Sequence, residues 1–156
     1  MAETRNLKLT ENGSVPAPFF ELHDSLASRS DTIEQFVMHL MWFIRRFTRN
    51  VMGMAEAADA IETALHEALA NAVIHGNHEN PEKQVSVSCR FGMDGEVSIT
   101  IRDQGDGFDS YPLNDPTDPQ NQLLTHGRGV YLMRALMDEI AFEESGNVVR
   151  MRKCVA

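Results

Sequence analysis

At 156 residues the chain is long enough for one domain with a full core and needs no metal or disulfide staple. A hydrophobic fraction of 42% and a charged fraction of 24% are those of a soluble globular protein, and neither a membrane span nor a secretory signal is visible. The formal net charge of −9 argues against a nucleic-acid surface, which needs clustered Lys and Arg, but permits a basic protein partner.

Residues 1–17 are polar and run into Val15-Pro16-Ala17-Pro18, so they read as a tail, leaving 18–156 as the folded domain. Phe19 to His23 suits a short strand. Asp31 then stands as an N-cap with Glu34 in capping-box spacing, ahead of Ile33, Phe36, Val37, Leu40, Met41, Ile44 and Phe47 at helical spacing. Met38, Trp42 and Phe43 carry apolar surface further round this first helix than one core face requires. Deep burial of the helix and a subunit or partner interface both account for that excess.

A second helix is expected from about Ala55 to Gly76, ending at His75-Gly76-Asn77. A hairpin follows: Val85, Val87, Cys89 and Phe91 alternate with polar residues, Asp94-Gly95 turns the chain, and Val97, Ile99 and Ile101 alternate on the return. From Gly105 to His126 periodicity is lost and Pro112, Pro116 and Pro119 appear, which suits a lid or binding segment. A third helix from about Arg128 to Met137 precedes a closing hairpin, Ala141–Glu144 and Val148–Lys153, turned by Ser145-Gly146-Asn147. This order predicts an α+β, two-layer sandwich with a mainly antiparallel sheet. Cys89 and Cys154 form no metal or redox spacing, so free thiols in a reducing cytoplasm are expected.

Three features carry chemistry. Glu67, Asn71 and His75 are spaced four apart, so they stack along the border between the apolar and wet faces of the second helix. The Asn oxygen suits Mg²⁺, a cation that takes oxygen ligands, and the Glu suits orientation or deprotonation of an attacking hydroxyl. A solvated edge stripe ending in a His explains the same spacing. In Asp103-Gln104-Gly105-Asp106-Gly107-Phe108, Asp103 shares the parity of Val97, Ile99 and Ile101, which aims its carboxylate at the apolar side of the sheet. There it needs a donor, and an adenine amino group would serve, although an Asp-Gly turn is the simpler reading of the motif alone. Gly127-Arg128-Gly129-Val130 stands where the loop becomes a helix, and helix-opening N–H groups accept phosphate oxygens. A hinge would look the same. The prolines after Gly107 exclude a dinucleotide fingerprint, no Gly-Lys-Ser/Thr loop occurs, and no zinc spacing convinces.

Taken in order, Glu67-Ala-Leu-Ala-Asn71-Ala-Val-Ile-His75-Gly76, the Asp103 to Phe108 motif, and His126-Gly127-Arg128-Gly129-Val130 with the residues on to Glu139 resemble the histidine-kinase-like ATPase superfamily. Within it the resemblance is strongest to bacterial anti-sigma-factor serine/threonine protein kinases, over roughly residues 19–153. That resemblance implies a sheet covered by helices on one face with an ATP lid, and ATP and Mg²⁺ as cofactors. It implies Glu67 as the base for a serine hydroxyl and Asn71 as the Mg²⁺ ligand. Asn71, His75, Asp103, Gly105, Gly107, Phe108, His126, Gly127, Arg128, Gly129 and Val130 would then form the nucleotide site. The implied substrate is a small antagonist protein, the implied target a sigma factor, and a homodimer agrees with the apolar excess around Trp42. Asn147 departs from the pattern, since many relatives place Thr there near the adenine pocket. An ATP-gated binding switch that moves no phosphate is the rival reading.

Overall fold

The computed structural model describes residues 19–107 and 125–155, the side chains of residues 125 and 126 excepted. The tail before Phe19, Phe108, the His126 side chain and the proline-bearing segment therefore lie outside the described residues. In chain order the elements are β1 (Phe19–Ala27), α1 (Ile33–Thr48), α2 (Met54–Ala70), β2 (Gln84–Gly92), β3 (Glu96–Arg102), α3 (Thr125–Leu136), β4 (Glu139–Glu143) and β5 (Val148–Cys154). The sheet order is β1-β2-β3-β5-β4, and all four pairings are antiparallel.

The alternation that predicts the central hairpin also fixes its register. Val87 faces Ile101, Cys89 faces Ile99 and Phe91 faces Val97, and all six are buried. A slip of one residue would turn that row to solvent and place Ser86, Ser88 and Ser98 in the core, so the register is strongly specified. Gly95, at φ +90°, makes the turn, with its N–H on the Gly92 carbonyl. Val37, Leu40 and Ile44 of α1, with Ile61, Leu65 and Leu69 of α2, complete the core. Each such side chain contributes about 1.5–3 kcal/mol of hydrophobic stabilisation.

Several expectations are corrected. β1 runs to Ala27, beyond the expected His23, because it pairs with β2 along its whole length. Asp31 caps nothing: its carboxylate pairs with Arg29, and the Thr32 hydroxyl instead donates to the carbonyls of Ala27 and Arg29. The first helix is not buried all round. Met38 is 63% and Trp42 59% exposed, so the excess apolar surface faces out. The second helix ends its α-helical ladder at Ala70, and a π-helical turn, Asn71–Gly76, carries the chain on. That turn closes with the Asn77 N–H on the Ala72 carbonyl, five residues back, at 2.9 Å. α3 starts at Thr125, earlier than expected, so Gly127 and Gly129 lie inside its opening turns. The last hairpin is bridged by Glu144–Gly146, all three with positive φ. Among the described residues no helix is long and apolar enough to cross a membrane.

Candidate nucleotide site

The π-helical turn brings the end of the second helix against the end of β3. Asp103 continues the inward parity of β3, and its carboxylate presses on the one residue of the turn that has no side chain: a Cβ on Gly76 would lie 2.5 Å from Asp103 Cγ. Gly105 folds back over the same place, where a Cβ would lie 2.6 Å from the Gly76 carbonyl carbon. Glycine at 76 and 105 is therefore a packing requirement, independent of any ligand. Asp103 Oδ1 accepts the Gly105 N–H at 2.8 Å. Partial burial raises the Asp103 carboxyl above its ordinary range, while the Gly105 N–H and the charge of Lys83 pull the other way. A carboxylate oxygen accepts more than one hydrogen bond, so an amino group offered by a ligand would offset the burial.

Further back along the same stretch, Glu67 in the last turn of α2 and Asn71 at the start of the π-helical turn meet the opening of α3. A Cβ on Gly129 would stand 2.7 Å from Glu67 Oε2 and 3.6 Å from Asn71 Nδ2. Gly127, two residues earlier, has nothing within 4 Å of the place its Cβ would take. The first N–H groups of a helix have no partner within the helix itself, and Gly127 stands in the opening turn of α3, at the positive end of its dipole. From Glu67 to Gly76 the chain runs through the last turn of α2 and the whole of the π-helical turn. The end of α2 and its π-helical turn therefore join the half-buried Asp103 carboxylate on one side to the Glu67 carboxylate, the Asn71 amide and the opening of α3 on the other.

Two asparagines hold the Asp103 loop, and neither role was visible in the sequence. Asn147 takes the Asp103 N–H on its carbonyl at 3.0 Å, and its own side-chain amide donates to the Gly105 carbonyl at 2.5 Å. Its Oδ1 lies 2.5 Å from where a Cβ on Gly107 would be, and Gly107 has φ +78°. Asn147 is thus committed to the loop backbone. Asn77 is 1% exposed and makes three side-chain hydrogen bonds, one of them from the Gln104 N–H at 2.7 Å. In the sequence it looked like a helix stop.

The expected site residues separate into two groups. Glu67, Asn71 and Gly129 come together, as do Asp103, Gly105 and Gly107 with Gly76. His75 and Arg128 are exposed, and the Val130 side chain belongs to the core, which leaves only its backbone to meet a ligand. Among the described residues no cluster of three or more His, Cys, Asp or Glu is placed to hold a metal.

A family model described as a histidine kinase-like ATPase domain matches residues 31–153. The chain is similar to an anti-sigma F factor of Heyndrickxia coagulans, with 37% identity over 100 residues covering 61% of this chain and 68% of the relative. It is also similar to an anti-sigma F factor of Geobacillus kaustophilus, 30% identical over 143 residues, or 87% of this chain and 93% of that one. A serine-protein kinase RsbW of Bacillus subtilis is 36% identical over 101 residues, 60% of this chain and 62% of the relative. Among solved structures, the RsbU and RsbW domains of a Mycobacterium tuberculosis protein superpose with a TM-score of 0.54 at 17% identity. That match spans 89% of this chain but only 33% of the solved one, and shows the fold alone.

Proposed function

The chain belongs to the histidine kinase-like ATPase domain family, and from that premise we propose that it is a Mg-ATP-dependent protein-serine kinase of the anti-sigma-factor type. Its substrate is a serine hydroxyl on a small antagonist protein, and its regulatory target is a sigma factor that it binds until the antagonist intervenes. The names of the relatives support this reading, and the free Cys89 and Cys154 suit the cytoplasmic setting it entails. The apolar surface at Met38 and Trp42 supports a homodimer.

The observation that carries the proposal is the meeting of Glu67 and Asn71 at Gly129, with Asp103 at the far end of the same stretch. The residues fit a nucleoside triphosphate on structural grounds. Half-buried Asp103 holds the Gly105 N–H and has lone pairs left for the amino group of a base, and a Cβ on Gly127 would meet nothing within 4 Å among the described residues. Asn71 offers one amide oxygen, which suits Mg²⁺, an ion that keeps several waters and takes its other ligands from phosphates.

When bound, Mg-ATP supplies an activated γ-phosphoryl group. Asp103 accepts the base amino group, and Asn71 would hold the metal by its oxygen. The opening N–H groups of α3, with Arg128, face the phosphate charge. Glu67 orients the acceptor serine and takes its hydroxyl proton as the serine oxygen bonds to phosphorus and ADP departs. Incubation with labelled ATP and small candidate partners, followed by mapping of the labelled residue, tests the proposal: phosphoserine is expected. Glu67→Gln should bind Mg-ATP as the wild type does and transfer phosphate about 10²–10⁴-fold more slowly. Transfer at the wild-type rate would remove Glu67 from the chemistry, and partner binding gated by ATP without transfer would assign a switch instead.

A further inference from the structure

Asn77 follows Gly76 directly and is almost fully buried, at 1% exposure. A buried carboxamide must place both donors and its oxygen, or lose about 1–3 kcal/mol for each group left alone. Asn77 places all of them, on three different segments. Nδ2 donates to Ser28 Oγ at 2.5 Å, just past the end of β1, and to the Gln84 carbonyl at 3.0 Å, at the start of β2. Oδ1 accepts the Gln104 N–H at 2.7 Å. The Gln104 side chain reinforces the link, since its Oε1 accepts the Gln84 N–H at 2.7 Å.

The bond to Gln104 reaches the site. Residue 103 is flanked by two peptide N–H groups, its own and that of Gln104. The first is held by the Asn147 carbonyl and the second by Asn77 Oδ1. With both peptide planes fixed, the direction in which the Asp103 side chain leaves the backbone is fixed as well. That direction places its carboxylate between Gly76 and Gly105. Asn147 fixes one plane from the β4–β5 connection, and Asn77 fixes the other from the helix end.

We infer that Asn77 is a positioning residue that aims Asp103 at the nucleotide base, and so sets the selectivity of the pocket for a base carrying an exocyclic amino group. The inference rests on the proposed reading of Asp103 as the acceptor of that group. Ser28 and Gln84 are the anchors, and Gln104 is the point of delivery. Alanine at 77 would release the Gln104 peptide while leaving Glu67, Asn71 and the α3 opening untouched.

The test compares affinity for ATP with affinity for purine riboside triphosphate, which lacks the 6-amino group, using the full chain with Mg²⁺. The wild type is expected to prefer ATP roughly tenfold, the scale of one hydrogen bond to a charged acceptor. Asn77→Ala should lose that preference to within about twofold while holding purine riboside triphosphate as before. Ser28→Ala, which removes an anchor but leaves the Gln104 bond, should lower the melting temperature and keep the preference. An Asn77→Ala protein that retains the preference, or that weakens both nucleotides by one factor, overturns the inference. A wild type with no preference overturns it at its root, because Asp103 then reads no amino group. If Asn77→Ala does not fold, hydrogen exchange on the wild type decides: a Gln104 amide protected like those of β3 supports the inference, and one exchanging at an open-loop rate overturns it.

Discussion

Alanine at position 105 tests whether the two backbones beneath Asp103 truly touch. A Cβ there would lie 2.6 Å from the Gly76 carbonyl carbon, against roughly 3.5–4.0 Å for a relaxed carbon contact. The Gly76 carbonyl oxygen is closer still, so more than an ångström of separation must be found. Neither segment is loose: Gly105 is tied to Asp103 and Asn147, and Gly76 is held by the Asn77 N–H that closes the π-helical turn. Overpacking of this kind costs about 1–3 kcal/mol. At roughly 2–4 °C per kcal/mol for a domain of this size, the melting temperature should fall by roughly 2–12 °C. Gly127→Ala is the counterpart. It meets nothing within 4 Å, and Ala in place of Gly within a helix adds about 0.5–1 kcal/mol, so this variant should melt at or above the wild-type temperature. Both should bind Mg-ATP more weakly, the first because Asp103 is displaced and the second because a methyl group enters the phosphate space. Thermal unfolding by circular dichroism, with calorimetric titration of Mg-ATP, reads both effects. A Gly105→Ala protein with wild-type melting and affinity would refute the packing argument. Wild-type affinity in Gly127→Ala would refute the placement of phosphates at the opening of α3.

Asp103 and Trp42 yield two more expectations. Because burial raises the Asp103 pKa above its ordinary 3.8, the folded state holds this proton more tightly than the unfolded chain. The associated stability is present below the unfolded value and is lost as pH rises through the folded one. Asp103→Asn should thus resemble the wild type in acid, unfold at higher temperature at pH 7 and bind ATP far more weakly; a lower melting temperature at pH 7 would contradict this. Trp42 is the single tryptophan and is 59% exposed, so the dilute protein should emit like an indole in water. If α1 forms a subunit contact, the emission should move to shorter wavelength with concentration, and Trp42→Ala should abolish association with little effect on monomer stability. An emission unchanged at concentrations where the protein is dimeric would exclude α1 from the contact.

The strands were legible because their signal is local. Val85 to Phe91 and Val97 to Ile101 alternate strictly, and extending that parity by one step places Asp103 on the inner side, where it is found. Helix ends were harder to read. Asp31 and Glu34 spell a capping box, but Arg29 competes for the carboxylate. The residues Asn71 to Gly76 are as helical in composition as those before them, so nothing local announces the change to five-residue closure. The two glycines at 127 and 129 suggested a later start for α3 than the one found at Thr125. For the site, each motif was visible but the contacts between motifs were not. That Gly129 rests on Glu67, or that Gly76 yields to Asp103, follows from topology rather than from either segment alone. Asn77 shows the limit most plainly, because one of its partners, Ser28, is 49 residues away.

The scattered origin of the Asp103 seat also orders the birth of the protein. Ser28, Asn77, Gln104 and Asn147 come from successive stretches of the chain, and the last of them stands just before β5. A nascent chain still lacking Asn147 and β5 has all three helices and the β2–β3 hairpin, yet leaves the Asp103 N–H without the carbonyl that holds it. On the proposed reading of Asp103, adenine nucleotide would stabilise only chains in which Asn147 and β5 are already in place, and would act as a late lock on the fold, not as a template for it.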